Sequence, residues 1–129
     1  MTKCIITHHK AHVVAALAAA DELGVAVAFQ SPPRGMATLG GLYLKTMFAD
    51  VAPPHKVVID CGDAPAHALT AIRTGFTHIL FSGDEAICTK LASMPAVTLA
   101  VPAEGALELA KTDSPSTAIR TFFASAPVA

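Results

Sequence analysis

Three histidines crowd one short stretch near the start of the chain, Thr7-His8-His9-Lys10-Ala11-His12. His8 and His12 are four residues apart, so on a helix they share a face. That placement lets two imidazoles grip one metal ion, or lets one act as acid or base beside the other. A third ligand would have to come from elsewhere, with Asp60, Cys61 and Asp63 as the nearest candidates by chemistry. No HExxH accompanies the pair, so the glutamate that such a motif uses as base is missing. The same spacing equally suits histidines that simply sit in the exposed first turn of a helix.

A second stretch, Ser31-Pro32-Pro33-Arg34-Gly35 followed by Gly40-Gly41, joins small residues to one guanidinium. Glycines let a backbone approach a ligand closely, and free N–H groups at a helix start favour an anion. Arg34 could clamp a phosphate or carboxylate in two-pronged fashion. The stretch is neither GxxxxGK[ST] nor GxGxxG, so no nucleotide fingerprint or particular cofactor follows from it.

A third group is Asp60-Cys61-Gly62-Asp63. An aspartate closing a third strand resembles the phosphoacceptor of response-regulator receivers. The acidic pair and the lysine that complete a receiver are replaced here by His8-His9 and Pro102-Ala103, so a receiver is not expected. Cys61 could serve as a nucleophile if a histidine of the first loop paired with it. Asp60 and Asp63 oppose that role, because like charge disfavours a thiolate. Asp63 and Ser82 are also well placed to cap the helices that follow them.

These groups need a scaffold, and its grammar repeats. Apolar runs at 3–7, 25–30, 56–61, 78–82 and 96–101 read as strands covered on both faces. Segments of helical length separate them. The first, His9 to Leu23, puts Val13, Leu17 and Ala20 on one stripe, and Gly24 ends it. The segment 64–74 puts Leu69 and Ile72 on its stripe, between a cap at Asp63 and Gly75. Ser82 and Glu85 form a capping-box pattern for a helix to about Ser93, and Ser114-Pro115 opens a last helix carrying Ile119, Phe122 and Phe123. A further short helix is expected over 104–111.

Alternating strands and helices predict an α/β fold: a three-layer sandwich, Rossmann-like or flavodoxin-like, with about five parallel strands and helices on both faces. The preferred strand order is 2-1-3-4-5, with 3-2-1-4-5 as the alternative. In such sheets ligands bind beyond the carboxyl ends of the strands, and all three polar groups fall there in this reading. The chain of 129 residues reads as one domain, 1–129.

Composition narrows the partners. A formal charge of −1 gives no footprint for nucleic acid or an anionic membrane, and no apolar run reaches the length of a membrane span. Val13–Ala20 is a short apolar run of the kind found in secretory signals, but it lies inside the first strand–helix unit and is read as part of the fold. Three widely spaced cysteines without a CxxC fit a reducing, cytoplasmic setting. Between Leu39 and Val51, the residues Tyr43, Leu44, Met47, Phe48 and Val51 make an apolar arc broader than one sheet contact requires, which predicts a homo-oligomer, most simply a dimer.

The function expected from the sequence is therefore binding of a small anionic molecule at the strand ends. His8, His9, Ser31, Arg34, Gly35, Gly40, Gly41, Asp60, Asp63 and Ser82 are its candidate contacts. The alternative is a metal-dependent or histidine-assisted enzyme built from His8 and His12 with Asp60 and Asp63. An oligomeric interaction module without a ligand is the third reading.

Overall fold

The computed structural model describes residues 3–102, 105–110 and 112–124. Its element order is β1 (Lys3–Ile6), α1 (Lys10–Leu23), β2 (Val27–Gln30), α2 (Gly35–Leu39), α3 (Gly41–Met47), β3 (Lys56–Asp60), α4 (Pro65–Thr74), β4 (His78–Leu80), α5 (Glu85–Ala92), β5 (Thr98–Leu99), β6 (Leu107–Glu108) and α6 (Pro115–Ala124). All strand pairings are parallel and form one sheet, as the helix-length connections require. The α/β fold is thus the one expected.

Its strand order is not. The sheet runs β5-β4-β3-β2-β1-β6, whereas both anticipated orders reverse within the first four strands. Each connection from β1 to β5 steps to the next neighbour in one direction. The reversal falls instead at β6, which pairs with β1 through Ile5↔Leu107 and Ile6↔Glu108. This strand lies where a short helix was expected. Leu107 and Leu109 alternate with the exposed Glu108, and β1 offers an unpaired edge whose hydrogen bonds satisfy their backbone.

Register divides the sheet residues cleanly. One face carries Ile5, Val27, Phe29, Ile59 and Ile79, each with no exposed surface. Against it pack α1, α3, α4 and α6, with α1 touching both α6 and α3, and α3 touching α4. The opposite face carries Cys4, Ile6, Gln30, Lys56, His78 and Thr98, half-buried or exposed. Ala28 and Val58, between them, are buried, and among the described residues no helix side chain lines the cavity over the middle of this face.

Alanine, rather than the larger apolar residues, makes the closest helix contacts. In α1 the buried residues are His12, Val13, Ala16, Ala19 and Ala20, and Leu17 is only half-buried. In α4 they are Ala68 and Ala71, while Leu69 is exposed. Small side chains let a helix axis approach its neighbours, so Val13 and Ala20 are buried as expected while Leu17, Leu69 and Ile72 yield the closest position to the alanine that precedes each.

The apolar arc of the third helix has its partner within the chain. Leu44, Met47 and Phe48 are buried, Val51 is half-buried, and only Tyr43 of the five stays exposed. Gly40 splits the segment into α2 and α3, which seats Leu44 and Phe48 in the core. The breadth of the arc therefore gives no ground for a dimer. Among the described residues, no helix is long and apolar enough to cross a membrane.

Candidate functional site

The described residues include three buried polar side chains, Thr7, His12 and Ser31. All three lie at the carboxyl ends of β1 and β2 or in the first turn of α1. Thr7 and Ser31 directly follow the last paired residues, Ile6 and Gln30, and the ladder continues through Thr7 N–H to the Gln30 carbonyl at 3.0 Å. Burying polar groups costs free energy unless each is hydrogen-bonded, so their concentration on one rim calls for an account.

Ser31 and His12 are satisfied. Ser31 Oγ accepts the N–H of Asp60 at 2.8 Å and so ties the end of β2 to the end of β3. His12 Nδ1 accepts the backbone N–H of His8 at 3.1 Å, and its ring stacks on His9 with centroids 3.7 Å apart. Burial, followed by the neighbouring His9 and His8, pulls the His12 pKa below its ordinary value, so the ring is a neutral acceptor at pH 7. Thr7 differs: its hydroxyl is buried and has no hydrogen-bond partner among the described residues.

The two candidate metal ligands are already engaged in different ways. While His12 holds the backbone, the His8 ring contacts the Glu108 carboxylate through Nε2. Glu108 also accepts the N–H of Ala110 at 2.8 Å. Asp60 spends one carboxylate oxygen on the N–H of Gly62 at 2.9 Å, and Asp63 is exposed. Among the described residues no three His, Cys, Asp or Glu side chains are grouped to hold a metal ion.

Arg34 begins α2 with φ of 54°, a left-handed backbone that non-glycine residues seldom adopt. Its aliphatic stem lies along Gly62, where an added Cβ would come within 3.1 Å of Arg34 Cγ. The side chain therefore crosses from the end of β2 to the end of β3 and stays on the rim. Gly35 is buried against Ser31, whose Oγ would lie 2.8 Å from a Cβ at that position. Gly40 and Gly41 serve the α2–α3 junction, and Gly41 packs on Thr74.

The anticipated helix caps fall on other residues. Pro65 at the first position of α4 makes Ala64 the cap residue, and Asp63 is one position too early. Ser82 donates its N–H to the Gly62 carbonyl at 2.8 Å, prolonging the β3–β4 ladder. The cap of α5 is Asp84, whose Oδ1 accepts from Ala86 N–H at 2.8 Å. By contrast, no side chain caps the start of α1.

Cys61 is buried, and burial first, then Asp60, pushes its thiol up to about 12. It stays protonated at neutral pH and is a poor nucleophile. Asp60 was anticipated as an opponent of the thiolate, but burial is the larger cause.

Two participants were not singled out from the sequence. Thr7 heads the histidine stretch without a role of its own, and Glu108 falls within the helix expected over 104–111. The Leu-Glu-Leu alternation at 107–109 was the available signal for the second. No protein-family model, curated protein or solved structure matches the chain.

Proposed function

We propose that the chain binds a small anionic molecule, carrying phosphate or carboxylate, at the rim formed by the ends of β1, β2 and β3. The observation that carries this reading is the buried, unpartnered Thr7 hydroxyl immediately before an uncapped helix start. The first N–H groups of α1 have no side-chain acceptor, and its macrodipole favours negative charge there. An anion accepting from them can also accept from Thr7, with Arg34 supplying a positive charge from the neighbouring loop. Ser31, Gly35 and Asp60 are supports, since Gly35 gives Ser31 room and Ser31 fixes the backbone of Asp60. Three free, dispersed cysteines favour a reducing setting such as the cytoplasm for this activity.

The histidine-assisted enzyme receives less support. His12 is committed to the backbone as an acceptor, and His8 faces Glu108 rather than Asp60 or Asp63.

Titration of inorganic phosphate and citrate into the ¹⁵N-labelled chain tests the proposal. Amides from Thr7 to Ala11 should shift and saturate, and Arg34→Ala should weaken binding by about 1.5–3 kcal/mol. Unmoved amides at Thr7–Ala11, or affinity indifferent to Arg34→Ala, would refute it.

A further inference from the structure

We infer a second ligand site, for a small amphiphilic carboxylate, on the open face of the sheet beneath the start of the β5–β6 connection. β5 and β6 lie at opposite edges of the sheet, and Ala100 and Val101 begin the connection between them. These two residues wall a cavity of about 380 Å³ whose floor is the sheet itself. That volume is within the range of small-molecule sites.

Register assembles the floor. Cys4, Ala28 and Lys56 form one cross-strand row, and Gln30, Val58 and His78 form the next. Ala28 and Val58 are the buried apolar centre. Val101, 85% exposed, gives an apolar wall that an occupant would cover. Three further features fix the chemistry of that occupant.

First, among the described residues that line the cavity, Lys56 is the one formal charge and none is a carboxylate. Second, Lys56 is exposed, and no described carboxylate pairs with it. Third, the remaining polar groups are neutral. Burial pushes the Cys4 thiol up against the opposing pull of Lys56, and burial, then Lys56, pulls His78 down. Cys4 turns its thiol to Gln30 Oε1 at 3.7 Å, which leaves the Gln30 amide N–H groups as donors. A single cation over an apolar floor, with neutral donors beside it, complements one carboxylate on an apolar body.

This site is independent of the strand-end rim, because Thr7, His12, Ser31 and Arg34 do not line it. Octanoate is the probe, with octanol as the neutral control of the same chain length. Titrated into the ¹⁵N-labelled full chain, octanoate should shift the amides of Cys4, Ala28, Val58 and His78 to saturation, and octanol should act more weakly. Lys56→Gln should weaken octanoate roughly tenfold, the loss of one charge-assisted contact, leave octanol unchanged, and be rescued by Lys56→Arg. The inference fails if octanoate shifts only other residues, the Thr7–Ala11 rim included, or if Lys56→Gln leaves its affinity intact. It also fails if the same amides shift with protein concentration alone, because a second copy would then be what covers this face.

Discussion

Where helices run into strands, Gly24 and Gly75 take φ of 67° and 110°, and a Cβ at either would meet no atom within 4 Å. Where strands run into helices, Gly35 has ordinary backbone angles, yet a Cβ there would come within 2.8 Å of Ser31 Oγ. Gly83 is similar, with Phe81 Cζ at 2.5 Å and the Asp63 carbonyl oxygen at 2.7 Å from such a Cβ. Gly24 and Gly75 serve a left-handed turn in open space, whereas Gly35 and Gly83 let chain pack on chain, and Gly62 at that same end joins a φ of 59° to a close approach by Arg34. The crowded end is also where Thr7, His12 and Ser31 are buried. The rim is thus a built surface, held by contacts that a single methyl group would disturb, whereas the opposite turns only need the right backbone angle.

Substitution by alanine separates the two uses. Gly35→Ala should give the larger loss, about 2–3 kcal/mol, because the new methyl overpacks Ser31 and pushes its Oγ off the Asp60 N–H. Gly24→Ala should cost only about 1 kcal/mol, the price of a left-handed non-glycine residue. Urea unfolding of both variants decides it. Equal losses would erase the distinction between the two ends.

Much of this scaffold can be read from the residues alone, and the failures have identifiable causes. Continuous apolar runs located β1 to β5, and Gly24 and Gly75 marked the ends of α1 and α4 correctly. Strand order was not readable, because apolarity reports that a strand is covered and not which strand lies beside it. β6 has two residues, too few for alternation to outweigh a segment of helical length. The caps went astray through neighbours. Pro65 fixed the start of α4 one residue beyond Asp63, and the ladder bond from Ser82 to Gly62 moved the cap of α5 to Asp84. At the proposed site, Arg34 stands out in the sequence by its charge among glycines. The burial of Thr7 without a partner does not, since an unpartnered hydroxyl is a property of packing and leaves no mark on spacing.

At Thr7 the rim should hold polarity at a cost in stability. Thr7→Val keeps the branched shape and removes the buried hydroxyl. It should raise stability by up to about 1 kcal/mol, since an unsatisfied buried group is lost without a partner being stranded. The same variant should bind phosphate and citrate more weakly. Calorimetric melting paired with the titration measures both. A destabilised Thr7→Val would mean that the hydroxyl has a structural partner and that the rim is ordinary core.

The smallest effect expected is on acid stability, and it belongs to His12. Burial holds its folded pKa below the ordinary value of 6.5, so the unfolded chain binds the proton more readily. The contribution of neutral His12 is complete above pH 6.5 and is lost as pH falls from 6.5 through the lower folded value. Protonation would also set a ring N–H against the His8 N–H that Nδ1 now accepts. His78, lowered by burial and Lys56, adds a loss of the same sign. His12→Asn offers an acceptor to the same N–H without a titrating proton, so its unfolding free energy should fall less between pH 7.5 and 5.5 than that of the parent chain. His78→Gln measures the second share. If His12→Asn loses as much stability as the parent over this interval, the ring is not held neutral by its burial, and the rim does not depend on it as an acceptor.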